Sequence, residues 1–190
     1  MHGIVINLDS RPDRLAEFRK QQFPFEVERF SAIKVTPGED GCTQSHLAVI
    51  GAQTEFPFVV FEDDCIMLQP WTAVEMCMKQ LPNKWDALWL GANVKEPISK
   101  YSENLYRLCN AYALHAVIYN SKEMVDYILK YHNTPSGKNL DIFYRFAVQK
   151  KFRCFLTYPM FATQRVDVSD ICGKITGHEE LEYNYKKNVK

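Results

Sequence analysis

Residues Phe58, Val59, Val60 and Phe61 form an apolar run that leads directly into three consecutive carboxylates, Glu62, Asp63 and Asp64. The run has the length and β-branched content of a buried strand. Three adjacent negative charges cannot follow it into a low-dielectric interior without partners. The chain must therefore place this strand so that its C-terminal end emerges at an edge or a cleft. A divalent cation at that end is the simplest relief, and a cation so held suits the gripping of phosphates. An acidic turn, or a solvated loop leading to the next helix, is the plainer alternative.

The rest of the chain suggests what surrounds this strand. Residues 3–8 read as a short buried strand. Ser10 is placed to cap a helix with Pro12 in its first turn, and Leu15 and Phe18 follow at helical spacing. Residues 26–33 alternate weakly as a strand, and 36–41 read as a Pro/Gly loop. A helix is expected over 42–54, another over 71–81, and a short strand over 86–91. Residues 95–104 look like a loop and 111–119 like a strand. Ser121 caps a further helix. Residues 132–138 are a second loop, Asn139 caps a helix to about 150, and a last strand runs over 152–158. Strands alternating with helices imply an α/β sandwich with a mostly parallel sheet, whose ligands bind beyond the C-terminal strand ends. One domain over 1–174 with a polar tail over 175–190 is expected.

With 190 residues, 46% of them hydrophobic, the chain can build a real core, and its net charge of zero argues against non-specific nucleic-acid binding. No run reaches the roughly 18 apolar residues of a membrane span. The N-terminus lacks the basic start of a signal peptide. The six cysteines, without paired C-x-x-C spacing, read as reduced thiols of a cytoplasmic protein.

Further residues stand out beside the carboxylates. If the strand persists, Glu62 and Asp64 share a face suited to Mn²⁺ or Mg²⁺, with Asp63 on the other. Arg11 and Arg14 flank a helix start able to bind phosphate, or they belong to a solvated helix start. Ser45 and His46 lie early in a helix. His46 is either a hydrogen-bond donor to a nucleotide or a packed core histidine. Cys42, four residues before it, raises a thiol nucleophile, but no orienting third group or oxyanion site is evident. Asp141 is either a helix-dipole residue or a partly buried general base.

Together these pieces resemble glycosyltransferase family 25. The likeness rests on Val5 to Arg14, on Gly41-Cys42-Thr43-Gln44-Ser45-His46-Leu47-Ala48, and on Val59 to Asp64. Residues 86–91 and 111–129, and Pro159 to Gln164 with Ser169-Asp170-Ile171, follow in the same order. The resemblance implies a single-domain GT-A-like, Rossmann-type fold. It also implies inverting transfer of a hexose, galactose or glucose, from a UDP-sugar to an acceptor hydroxyl on a glycan, lipid-linked or protein substrate. It places Mn²⁺ (or Mg²⁺) on Glu62 and Asp64, the donor beside Asn7, Arg11, Arg14, Ser45, His46 and Asp63, and the catalytic base at Asp141. The chain is short for the family between the metal motif and Asp141, where acceptor loops tend to lie. Two rivals remain: a metal-dependent nucleotidyltransferase, against which the lack of a G-x-x-x-x-G-K loop weighs, and a catalytically degenerate binding module.

Overall fold

The computed structural model describes residues 1–132, 139–168, 170, 175–176 and 179–189. The chain opens with β1 (Gly3–Asn7), α1 (Pro12–Phe18), β2 (Val27–Ser31), α2 (Gly38–Gly51) and β3 (Phe58–Glu62). Next come β4 (Cys65–Met67), α3 (Trp71–Met78), β5 (Ala87–Trp89), β6 (Asn93–Val94), β7 (Ser99–Lys100), β8 (Leu105–Arg107) and β9 (Ala111–Tyr112). It continues through β10 (Ala116–Tyr119), α4 (Lys122–Tyr131), α5 (Leu140–Phe143), a π-helical segment (Tyr144–Val148) and α6 (Gln149–Lys151). Last are β11 (Cys154–Thr157), β12 (Ala162–Gln164), β13 (Asp167–Val168), β14 (Ile175–Thr176) and α7 (Glu179–Asn188).

Eight strands make one central sheet in the order β2-β1-β3-β10-β5-β11-β8-β7. The sheet is mixed: β1 runs parallel to β2 and β3, and β11 parallel to β5, while β10 is antiparallel to both β3 and β5. The expected parallel order thus holds in two blocks, joined through a reversed strand. Every residue of β1 is buried, as is every residue of β10, so both faces of the sheet are covered.

Strand parity divides the core. Phe58 and Val60 of β3 pack with Val49 and Ile50 of α2 and with Met124 and Ile128 of α4. Val59 and Phe61 point the other way, against Phe18 of α1 and Trp71 and Val74 of α3. On that second face Phe61 lies among Phe18, Phe23 and Trp71, with ring centroids 5.0–6.4 Å apart.

Several local expectations change. Helix α2 begins at Gly38, four residues before the expected start. Ser10 does not cap α1: Arg11 N donates to Leu8 O and Asn7 Nδ2 to Arg11 O, a tight turn that leaves Ser10 outside the helix. Ser121 and Asn139 do cap, accepting from the backbone N–H groups of Met124 and Asp141. Residues 111–119 are two short strands, broken where Ala113 takes φ 77°, and residues 95–104 contain β7. The segment expected as a polar tail forms β14 and α7. Leu181, Tyr185 and Val189 are buried there at four-residue spacing, and Tyr185 Oη donates to Thr157 O. A polar average composition hid a single apolar helix face. The loop expected at 134–137, with Ser169, Ile171 and Cys172, lies outside the described residues. The other five cysteines are unpaired thiols, and no helix among the described residues is long and apolar enough to cross a membrane.

Candidate functional site

The parity of β3 carries through its end. Glu62, in step with Val60, faces α2, and His46 Nε2 and Glu62 Oε1 stand 3.1 Å apart. Asp63, in step with Phe61, faces α1. It accepts from Asn7 Nδ2 at 2.7 Å and from Arg14 Nη1 at 3.2 Å. Asp64 lies past the strand in the turn to β4. Its buried Oδ1 has no hydrogen-bond partner among the described residues.

Burial raises Asp63 and Asp64 alike, against the lowering contacts of Asn7 and Arg14 at Asp63, whereas Glu62 is lowered. Burial works against the Glu62 carboxylate, but the neighbouring His46 more than offsets it and holds Glu62 below its usual range. Burial of His46 acts downward too. The adjoining Cys42 and Glu62 side chains outweigh it and raise the imidazole to about 10. Asp64 is pushed up to about 7, first by burial and then by the charges of Glu62 and Asp63. A carboxylate held this way is short of positive charge.

All three acids line a cleft of about 630 Å³ at the end of β1 and β3. Its far wall is the backbone from Ala32 to Gly38, joining β2 to α2. That wall is pinned to the helix: Ile33 N donates to Ser45 Oγ at 2.8 Å, and Ser45 Oγ donates to Gly41 O at 2.7 Å. Gly41 is required for this approach, because a Cβ there would stand 2.4 Å from Ile33 O. Ser45 is thus spent on holding the wall, while His46 reaches the carboxylates. The first turn of α2 opens toward the cleft, with its positive dipole end at Pro37 and Gly38.

Both arginines come from the start of α1. Arg14 lines the cleft, binding Asp63 and, through Nε, Asp167 at 2.9 Å. Arg11 does not line it; its guanidinium is taken up by Asp13, Asp167 and Asp170. Asn7 sits beneath, 2% exposed, bonded to Asp63 and accepting from Arg29 Nε. Asn7 and Arg11 are therefore a frame that orients Asp63 and the chain around Asp167. Lys34 is a cleft-lining cation that sequence reasoning passed over; lying in a loop outside any pattern, it gave no signal. Gln164 was also missed as a site residue. Its Nε2 donates to Glu62 Oε2 at 3.3 Å, and it also bonds Asp64.

Asp141 borders a smaller cavity of about 190 Å³ that continues from the cleft past Cys42, His46, Glu62 and Gln164. It is held at the start of α5, where its Oδ2 accepts from Ala113 N at 3.3 Å. The left-handed backbone of Ala113, rare outside glycine, aims that N–H. Burial, reinforced by the charge of Glu62, lifts Asp141 to about 6. The cleft and its extension thus bring together Glu62, Asp63, Asp64, Arg14, Ser45, His46 and Asp141, and leave Asn7 and Arg11 behind its wall.

No protein-family model matches the chain, and no curated protein does. Among solved structures, A197 from STIV is similar at 14% identity over 93% of this chain and 92% of that one, with a TM-score of 0.48. The glycosyltransferase GlyE of Streptococcus pneumoniae TIGR4 aligns at 9% identity over 98% of this chain and 59% of its own, with a TM-score of 0.43. A nucleoside-diphosphate-sugar pyrophosphorylase from Vibrio cholerae RC9 aligns at 14% identity over 97% and 80%, with a TM-score of 0.41. Likenesses this distant assign no activity, which is argued from the site itself.

Proposed function

We propose that the chain is a metal-dependent glycosyltransferase that moves a hexose from a nucleoside diphosphate sugar to an acceptor hydroxyl with inversion. UDP-galactose and UDP-glucose are the donors of choice. The observation that carries this reading is the unpartnered, buried Oδ1 of Asp64 in a carboxylate cluster facing a nucleotide-sized cleft. A hard divalent cation, Mn²⁺ or Mg²⁺, fits there: the buried Oδ1 of Asp64 has no hydrogen-bond partner among the described residues, and Glu62 Oε2 meets the same Gln164 that bonds Asp64. Such an ion, when bound, neutralises charge on the departing diphosphate.

The chain's own residues supply the rest. Glu62 and Asp64 hold the metal side of the donor. Asp63, fixed by Asn7 and Arg14, sets the position of the turn that carries them. The backbone wall 32–38 and the N-terminal end of α2 accommodate the nucleoside and favour anionic oxygens. Asp141 lies at the inner end, where an acceptor hydroxyl would attack the anomeric carbon opposite the leaving diphosphate. It takes the hydroxyl proton as the new C–O bond forms and the bond to the phosphate oxygen breaks.

A thermal-shift panel of nucleotide sugars, nucleoside triphosphates and UDP, each with and without Mn²⁺, tests the assignment. A ligand that binds only the native state raises Tm by mass action. The reading expects a Mn²⁺-dependent rise with a UDP-sugar and with UDP. A rise with triphosphates alone, or with no nucleotide at all, rejects it.

A further inference from the structure

Cys42 has no task in donor binding, yet it lines both the cleft and its extension. Cys42 and His46 are one helical turn apart on α2, so their side chains project from one face. Glu62 meets them from the end of β3. One donor atom from each of the three lies within 4.8 Å of the others, and His46 Nε2 and Glu62 Oε1 are already 3.1 Å apart. In a tetrahedral site with metal–ligand bonds of roughly 2.0–2.3 Å, neighbouring donors stand roughly 3.3–3.7 Å apart. Small side-chain rotations close the set around one ion.

The imidazole is also short of partners. His46 is fully buried, and its Nδ1 has no hydrogen-bond partner among the described residues. Buried imidazole nitrogens are rarely left this way. The donor chemistry is also selective. Sulfur, imidazole nitrogen and a single carboxylate oxygen suit a borderline cation such as Zn²⁺, whereas Mg²⁺ and Mn²⁺ prefer oxygen ligands. Glu62 can serve both neighbours, since Oε1 faces His46 while Oε2 faces Gln164.

We propose that Cys42, His46 and Glu62 form a three-ligand site for a borderline divalent cation of the zinc class, with its fourth position open to the cavity that Asp141 also lines. This site shares Glu62 with the oxygen-ligated metal of the donor reading, through the other carboxylate oxygen, and needs no nucleotide to form. Three protein ligands with one open position are the arrangement of a zinc that meets a small molecule or water, rather than of a closed structural zinc.

The full-length chain, stripped of metal by a chelator, is titrated with Co²⁺ and then Zn²⁺. The site expects one Co²⁺ per chain. It should show a near-ultraviolet thiolate-to-cobalt charge-transfer band and the strong visible absorption of four-coordinate cobalt, both removed by one equivalent of Zn²⁺. Cys42→Ser should abolish the charge-transfer band and weaken Zn²⁺ binding at least 100-fold, while Cys109→Ser, which alters another partly exposed thiol, should keep both. A readout without substitution covers a Cys42→Ser protein that fails to fold: Zn²⁺ should slow alkylation of Cys42 by iodoacetamide at least tenfold, followed by peptide mass spectrometry. No charge-transfer band in the unmodified protein, a band that survives Cys42→Ser, or alkylation indifferent to Zn²⁺ overturns the proposal. UDP titrations with Mn²⁺ on the same preparation separate it from the donor reading. A cobalt band without UDP binding overturns only the donor reading, and UDP binding without the band overturns only this site.

Discussion

Asp63 and Asp64 are adjacent, carry the same side chain and border the same cleft, yet among the described residues one has a partner for each carboxylate oxygen and the other does not. Asp63 accepts from Asn7 and Arg14, and that arginine is in turn tied to Asp167. Asp64 is bonded by Gln164, but its buried Oδ1 has no hydrogen-bond partner among the described residues, and it is raised to about 7, first by burial and then by its two acidic neighbours. The difference comes from where the strand stops. Parity delivers Asp63 to the face of α1, where the arginine waits. Asp64, one residue further into the turn, lies among the cleft-lining residues with Glu62 and Gln164. A carboxylate whose oxygens both have partners is scaffold; one that keeps an unpartnered buried oxygen is prepared for a ligand that arrives from outside.

The largest expected effect tests the held side. Removing one partner of a buried ion pair costs about 3–5 kcal/mol. Asp63→Ala should therefore lose stability of that order in chemical denaturation, whereas Asp64→Ala should change it by no more than about 1 kcal/mol or raise it. Equal losses for the two would erase the distinction. On the open side, Asp141→Asn should lower transfer by at least about 100-fold, the usual share of a general base, while UDP affinity stays within about twofold. Near-normal turnover would remove Asp141 from the reaction.

The same residue sets a pH limb. Because the folded Asp141 titrates at about 6, against an ordinary 3.8, it is a competent base only above that value. Transfer should rise through about pH 6 and then level. The linked stability runs in the opposite direction: the unmodified protein should lose stability relative to Asp141→Asn as pH rises from about 4 to about 6. A pH-independent difference between the two would mean that Asp141 is not shifted. The smallest effect belongs to the scaffold. Tyr185→Phe removes one buried hydrogen bond to Thr157 and should cost about 1 kcal/mol, measured by the same denaturation. No change would mean that α7 is not docked as described.

The parts of this architecture that can be read in the sequence are those dictated by local pattern. Phe58 to Phe61 had to be a buried strand, and Ser121 and Asn139 were placed to cap helices. The rest depends on partners distant in the chain. Nothing near Asn7 shows that its amide will be claimed by Asp63, 56 residues away. Nothing near Arg11 announces Asp167 and Asp170, which divert it from the cleft. The break before β10 falls at Ala113, a positive-φ residue that no glycine marks. The apolar face of α7 was diluted by its lysines and glutamates. Of the site, the carboxylate motif and Asp141 were visible as candidates. The closeness of Cys42 and His46 was visible too, but the third group, Glu62, reaches them only through the sheet.

Calorimetric titration of UDP into the unmodified protein and into Asp64→Asn, each with and without Mn²⁺, tests the central claim most directly. The account predicts that UDP binds the unmodified protein at least tenfold more tightly with Mn²⁺ than without, and that Asp64→Asn removes the gain. UDP affinity that is the same with and without the metal, or unaltered in Asp64→Asn, would contradict it.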